Sequence, residues 1–198
     1  PNLESARAPI VSAASPEGAR RPRPFFFCVV VWGELFVRSL LDYCIPSLLA
    51  PHNIPALVDR VGSRFLFATS EADGKQIRSS PIVLRLAQYV EPTFVPIPPC
   101  PEHANPQLHM GIGHKLVTQM SFDHGAYGVH LTPDMIVSDG AVEAAQRYAT
   151  NGAHLMLVAA LRFGKEPLFQ HLEALGVVSA GGVDHGRMDL ALPLLRSR

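Results

Sequence analysis

Apolar residues occur in five short runs along the chain, and longer stretches with apolar positions near helical spacing lie between them. The runs cover residues 25–31, 64–68, 93–97, 127–131 and 154–161, and their lengths and composition are typical of buried strands. The intervening residues 34–49, 80–89, 113–123, 141–150 and 166–175 are predicted to be helices. Because each parallel pairing requires a crossover, this alternation predicts an α/β fold, a three-layer sandwich with a mostly parallel sheet and helices on both faces. We expect residues 25–31 and 127–131 to be neighbouring central strands.

Three regions of the chain differ in composition. Residues 1–24 contain prolines among Ala, Ser and Arg and almost no periodic apolar content, so they predict an extended arm that contributes little to the core. Residues 25–180 are predicted to form the α/β domain, and residues 181–198 are predicted to form a C-terminal tail. Within the domain, the proline-rich residues 96–101 lead into a loop with His103 and His109, which we expect to be either an active-site flap or a surface excursion.

Charge and cysteine content exclude several classes of protein. The 17 basic residues balance 17 acidic ones, and beyond residues 20–23 no basic run forms the positive patch that nucleic-acid binding requires. The three cysteines form no CxxC pair, which argues against disulfides and structural zinc and favours the cytoplasm. The apolar run beginning at Phe25 is far shorter than the roughly 20 residues of a membrane span, and it has no signal-peptide cleavage site. We expect a cytoplasmic protein with no membrane span.

Polar residues follow the predicted strands at their carboxyl ends, where α/β proteins bind ligands. The first strand is followed by Trp32-Gly33-Glu34, the second by Thr69-Ser70-Glu71 and the fourth by Thr132-Pro133-Asp134. These positions are the first candidates for a ligand site. For Trp32, the alternative is packing at the edge of the core.

Asp134 is the most specific of these candidates. Pro133 cannot donate a further ladder hydrogen bond and favours extended geometry at Thr132, so the strand is expected to stop there and present Asp134 at its end. The alternative is an Asx-turn, in which the carboxylate accepts a hydrogen bond from its own backbone. Ser138 or Asp139 is expected to cap the helix that follows.

The common catalytic and phosphate-binding motifs are absent from the sequence. It has no GxGxxG after the first strand, no P-loop, no GxSxG and no HExxH, and its histidines do not reach the spacing of a metal cluster. Residues 110–115 contain two glycines and end in His114-Lys115 at the start of a predicted helix, and helix N-termini bind anions. An ordinary loop-to-helix junction, with Lys115 as a solvated charge, is the alternative.

The order of these elements resembles the nucleotide-sugar-binding half of GT-A glycosyltransferases. The resemblance rests on the strand before Trp32-Gly33-Glu34, the strand before Thr69-Ser70-Glu71, the proline-rich loop, the helix with His114-Lys115 and the segment Leu131-Thr132-Pro133-Asp134. In that family the fourth strand leads into an Asp-x-Asp motif that holds a divalent cation on the sugar nucleotide. Asp134 matches the second aspartate, whereas Thr132 stands where the first would be.

The resemblance implies a role for each candidate. Asp134 would bind Mg²⁺ or Mn²⁺, His114 or Lys115 would face the diphosphate, and the residues after the first two strands, Trp32, Glu34, Thr69, Ser70 and Glu71, would meet the base or ribose, near Thr132. The substrates would be a nucleotide-sugar and an unknown acceptor. The catalytic base is not identified, since it belongs to an acceptor-binding half of which residues 181–198 would be a truncated part.

A second class of function stays open beside the glycosyltransferase. A catalytically inert α/β domain that binds a partner protein or a nucleotide, or a structural subunit of a homo-oligomer or larger assembly, would have the same pattern without both aspartates. A phosphate-ester hydrolase is disfavoured, because no strand ends in the paired aspartates that such enzymes usually need.

Overall fold

A four-stranded parallel sheet forms the centre of the protein. The computed structural model describes residues 23–158, 165–176, 178–179 and 182–183. Strands β1 (Phe25–Val31), β2 (Arg64–Thr69), β3 (Glu91–Pro96) and β4 (Tyr127–Leu131) pair in the order β3-β2-β1-β4, all parallel. The short strands β5 (Val178–Ser179) and β6 (Gly182–Val183) form a separate antiparallel pair. The α/β fold class predicted from the sequence is confirmed.

Seven α-helices are present in the described part of the chain. Their bounds are α1 Glu34–Ser39, α2 Ile45–Leu48, α3 Glu71–Ser79, α4 Pro81–Leu86, α5 Pro106–Asp123, α6 Ala141–Thr150 and α7 Lys165–Ala174. A π-helical segment, Leu40–Cys44, joins α1 to α2, and Pro46 is the second residue of α2. The proline cannot donate to the carbonyl of Asp42 and its ring would crowd that group, and a wider turn relieves the conflict.

The sheet is buried on both faces, which explains the unbroken apolar sequence of β1. One face, with Phe27, Val29 and Phe67, packs against the helices that connect β1, β2 and β3. The other face, with Cys28 and Val30, packs against Val117 of α5 and its neighbours. Because successive strand residues point to opposite faces, a strand covered on both sides must be apolar at every position.

Gly113 allows α5 to lie close to the sheet. A β-carbon at this position would stand 2.6 Å from Val30 Cγ1 and 3.2 Å from the β-carbon of Ala68. Gly111, in the same helix, has no atom within 4 Å of an equivalent β-carbon. The glycine at position 113 is therefore required by packing, whereas the one at position 111 is not.

Asn53 ties three separate segments together. Its buried amide donates to the carbonyl oxygens of Ser47 and Ser138, at 2.9 and 3.0 Å, and its oxygen accepts from the Val142 N–H at 3.1 Å. The expected cap of α6 by Ser138 or Asp139 is wrong: Gly140 occupies the N-cap with φ 83°, and Asn53 bonds the free helix N–H instead.

Several sequence-based predictions need correction. Strand β4 does neighbour β1, but it lies at an edge of the described sheet and is not central. Residues 154–158, predicted as the start of a fifth strand, are irregular and exposed, and residues 159–161 of that prediction lie outside the described residues. Helix α3 was not predicted, because only Gly74 and Ile77 of its residues are buried and the apolar periodicity is correspondingly weak. Helix α5 begins seven residues before the predicted start, so His109 is helical and not in a loop.

The terminal predictions fall largely outside the described residues. Only residues 23 and 24 of the predicted arm and residues 182 and 183 of the predicted C-terminal tail are described. In the portion of the chain that the structure describes, no helix has the length and apolar character needed to cross a membrane.

Candidate functional site

A cavity of about 360 Å³ opens where β1, β2 and β3 end. Its lining comes from the segments directly after these strands and from α3 and α5: Trp32, Ser70, Asp73, Ile97, Pro98, Pro99, Cys100 and His109. Parallel strands place their carboxyl ends at one edge of the sheet, so residues far apart in sequence meet there. The cavity is the strongest candidate ligand site in the described part of the chain.

Asp73 is the polar centre of this cavity. One carboxylate oxygen, Oδ2, accepts the Gly33 N–H at 3.1 Å and the Ser70 hydroxyl at 2.7 Å. Ser70 is the N-cap of α3 and its hydroxyl oxygen accepts the Asp73 backbone N–H at 3.2 Å, so Ser70 bonds both the side chain and the backbone of Asp73. The other oxygen, Oδ1, accepts no hydrogen bond from a described residue and can accept one from an N–H or O–H group of a ligand.

Gly33 supports this arrangement through its backbone. Its φ of 83° lies in the left-handed region that glycine adopts without strain, and the conformation turns the chain from β1 into α1. The hydrogen bond from Gly33 to Asp73 therefore links the end of β1 to the first turn of α3. This bond therefore fixes the cavity lining between the ends of the adjacent strands β1 and β2.

An aromatic pair, Trp32 and His109, forms part of the cavity lining. The ring of half-buried Trp32 meets the ring of His109 edge to face, with centroids 5.4 Å apart and an interplanar angle of 87°. His109 is 6% exposed, and its Nε2 lies 2.9 Å from the carbonyl oxygen of Pro98, to which the Nε2–H donates. This bond holds the Pro98-Pro99 segment against α5, so the cavity lining combines a carboxylate with flat, largely apolar groups.

Two of the nine residues predicted from the sequence, Trp32 and Ser70, line the cavity. Glu34 and Glu71 are exposed in the first turns of α1 and α3, and Glu71 pairs with Lys75 at 2.9 Å. Thr69 is buried, and its hydroxyl has no hydrogen-bond partner among the described residues. Of these side chains, only those of Trp32 and Ser70 reach the cavity.

The candidates on α5 lie elsewhere. Lys115 is exposed on the helix surface. The ring of His114 faces His130 of β4, with centroids 5.8 Å apart. Partial desolvation of the ring, followed by the nearby His114, lowers the pKa of His130. Neither His114 nor Lys115 is part of the cavity lining.

Thr132 and Asp134 lie in a turn at the end of β4. The turn is closed by the backbone, with the Met135 N–H donating to the Thr132 carbonyl at 3.1 Å. The exposed Asp134 carboxylate accepts no hydrogen bond from the described residues, so the Asx-turn alternative is wrong. Its charge acts on the Cys44 thiol, whose pKa is raised to about 12, first by burial and second by Asp134.

Asp134 offers one oxygen ligand for a divalent cation. Across the described ranges, no three His, Cys, Asp or Glu side chains come together as a metal-binding group. Mg²⁺ bound to nucleotides commonly takes one or two carboxylates and completes its shell with phosphate oxygens and water. A cation at Asp134 would therefore have one carboxylate ligand from the protein and would take most of its other ligands from phosphate.

The sheet order places Asp134 at a topological switch point. The chain proceeds from β1 outward to β2 and β3, and then returns to add β4 on the other side of β1. Open α/β sheets bind ligands in the crevice that such a reversal leaves between the strand ends. Trp32 follows β1 and Asp134 follows β4, so both stand at this edge of the sheet, although Asp134 does not line the cavity.

Sequence inspection missed Asp73, and it marked residues 96–101 and His109 only as an active-site flap or a surface excursion, without naming them as site residues. The spacing Ser70-x-x-Asp73 is a recognisable helix N-terminal signature and could have located α3. The contact of Gly33 with Asp73 joins residues 40 positions apart, and no local pattern indicates it. No family model matches this chain, and neither curated proteins nor solved structures provide a match.

Proposed function

We propose that this chain is a glycosyltransferase-like domain that binds a nucleoside diphosphate sugar and transfers the sugar to an acceptor. The observation that carries the proposal is the cavity at the ends of β1, β2 and β3, with an aromatic wall and a carboxylate oxygen open to a ligand. A flat wall and one hydrogen-bond acceptor suit a nucleoside, which has a planar base and donor groups on base and ribose.

The nucleoside lies in the cavity in this proposal. Its base packs on the flat surfaces of Trp32, Pro98 and Pro99, which removes apolar area from water. A ribose hydroxyl or a base N–H donates to Asp73 Oδ1. Because Oδ2 is already held by Gly33 and Ser70, the open oxygen is fixed in position before the ligand arrives.

The diphosphate extends from the cavity into the crevice between the ends of β1 and β4. A divalent cation held there by Asp134 and phosphate oxygens would neutralise the charge that develops on the departing diphosphate. Asp134 contributes the carboxylate, and its exposed position leaves room for phosphate and water ligands.

A second candidate function is a domain that acts by binding another protein. It is favoured by a line of exposed apolar side chains on α5, Leu108, Ile112 and Leu116, which are 77%, 42% and 39% exposed. Their spacing of four residues places them on one side of the helix. Exposed apolar patches of this kind mark protein interfaces.

Thermal unfolding with uridine, guanosine and adenosine diphosphates, with and without Mn²⁺, tests the proposal. A ligand present at 100 times its dissociation constant stabilises the native state by about 2.7 kcal/mol. Asp73→Asn is the matched variant, because its amide oxygen can replace Oδ2 toward Gly33 while its NH₂ group replaces the acceptor that the ligand needs. Asp42→Asn, at an exposed site outside the cavity lining, is the control.

The outcomes separate the two functions. The glycosyltransferase proposal predicts that one nucleotide raises the melting temperature of the wild-type protein and of Asp42→Asn, and that Asp73→Asn loses the effect. If no nucleotide shifts the wild-type melting temperature, the proposal fails and the protein-binding domain is favoured.

A further inference from the structure

Two histidines face each other across the packing of α5 on the edge strand. His114 of α5 and His130 of β4 have ring centroids 5.8 Å apart and an interplanar angle of 60°. His130 Nε2 lies 3.4 Å from the Thr118 hydroxyl, and Thr118 follows His114 by one helical turn. The Nε2 side of the His130 ring is therefore directed at the helix face that carries His114.

The spacing of the two rings allows them to share a metal ion. A zinc–nitrogen bond of about 2.0–2.1 Å places each imidazole centroid roughly 3.2 Å from the metal. Two such rings have centroids about 5.2 Å apart at a tetrahedral angle and about 6.4 Å apart when opposite each other, by the same bond length. The observed 5.8 Å lies between these values.

The surroundings leave the imidazoles available to a metal. At 3.4 Å the contact with Thr118 is long and does not occupy His130 Nε2 strongly. Gly128 lies beside the same nitrogen, and a β-carbon there would approach Nε2 to 3.4 Å, so the absence of a side chain keeps this side open. His114 is half-buried, so a part of its ring remains accessible.

We propose that His114 and His130 form a two-imidazole binding site for a borderline transition-metal ion such as Zn²⁺, Cu²⁺ or Ni²⁺. Imidazole nitrogen prefers these ions to Mg²⁺ or Ca²⁺, which take oxygen ligands. Water completes the coordination, so the site is open and differs from closed structural zinc sites with four protein ligands. Because neither histidine lines the cavity, the proposed metal site does not depend on nucleotide binding, and the two proposals are tested separately.

Calorimetric titration of the full chain, purified without a histidine tag, with Zn²⁺ and separately with Mg²⁺ tests this site. The variants are His114→Asn, His130→Asn and the double variant, since asparagine keeps a polar side chain of similar position. His103→Asn, in the exposed loop before α5, is the matched control. Circular dichroism confirms that each variant is folded.

The proposal predicts one Zn²⁺ per chain and no heat from Mg²⁺. Either single variant should weaken Zn²⁺ binding by at least tenfold, and the double variant should weaken it little further, because one chelated ion needs both rings. His103→Asn should bind like the wild type. Absence of Zn²⁺ binding by the wild type, or full affinity in a folded His114→Asn or His130→Asn variant, overturns the proposal.

Cu²⁺ provides an independent spectroscopic readout. By the usual order of stability, Cu²⁺ binds the same nitrogen ligands more tightly than Zn²⁺. The electron paramagnetic resonance spectrum of the wild type should report two coordinated imidazole nitrogens, and that of either single variant at most one. Equal spectra for the wild type and both variants would also overturn the proposal.

Discussion

Replacing Gly113 by alanine tests the closest approach between α5 and the sheet. The added methyl would stand 2.6 and 3.0 Å from the two Val30 methyl carbons and 3.2 Å from the Ala68 β-carbon, all on buried strands. These neighbours belong to β-branched or backbone-proximal groups that cannot move away freely. Overpacking of this kind destabilises a core by about 1–3 kcal/mol.

Gly111→Ala separates this packing effect from helix propensity. Alanine is favoured over glycine in a helix interior by about 1 kcal/mol, and Gly111 has open space where its methyl would lie. Gly111→Ala is therefore expected to stabilise the protein by up to about 1 kcal/mol. Gly113→Ala gains the same propensity but meets the sheet, so it should be less stable than Gly111→Ala by about 1–3 kcal/mol.

Urea unfolding measures the difference, provided that the slope of the transition stays constant so that midpoints report stability. A Val30→Ala background supplies the second test, because the smaller side chain makes room for the methyl at position 113. In that background the penalty of Gly113→Ala should largely disappear. If Gly113→Ala and Gly111→Ala are equally stabilising, α5 does not pack on Val30 as described.

Three further predictions concern other parts of the molecule. Asn53→Ala should lower the free energy of unfolding by about 3 kcal/mol in urea, because three hydrogen bonds of a buried side chain, of about 1 kcal/mol each, are lost. An effect under about 0.5 kcal/mol would contradict the network. Burial raises the pKa of Cys28 to about 11 and that of Cys44 to about 12, so at pH 8 neither thiol should react with iodoacetamide until urea unfolds the protein. Mass spectrometry locates the modified cysteines, and native labelling of either would refute their burial. Asp134→Asn should abolish any Mn²⁺-dependent part of nucleotide binding in calorimetry. It should leave the melting temperature of the free protein nearly unchanged, since the exposed carboxylate accepts no hydrogen bond from the described residues. Equal nucleotide affinities of the wild type and Asp134→Asn would exclude the metal-ligand role.

Much of the fold could be predicted because its strands have strong local signals. The short apolar sequence of β1 favours a strand covered on both faces, and β4 ends just before the proline that stops it. The position of β4 at an edge was not predicted, although its sequence contained a sign of it. Its alternating half-buried and exposed residues, such as exposed Gly128 and His130, are the sign of an edge that the sequence already contained.

The candidate site was predictable only in part, because its geometry depends on long-range contacts. Trp32 and Ser70 could be found from their positions after strands. Asp73 lies in a helix with little apolar periodicity, and its role depends on the Gly33 N–H, which the fold brings near. His109 was assigned to a loop because Pro106 and two glycines obscure the start of α5, although proline is favoured in the first turn of a helix.

Cys100 provides the most direct test of the proposed nucleotide site, because this half-buried thiol lines the cavity. The measurement is the rate of its alkylation by iodoacetamide in the native protein, with and without a saturating nucleoside diphosphate and Mn²⁺. A nucleoside seated between Asp73 and the Pro98-Pro99 wall predicts a severalfold slower reaction of Cys100. An unchanged rate under conditions where calorimetry shows the nucleotide bound would place the nucleotide elsewhere and contradict the proposed site.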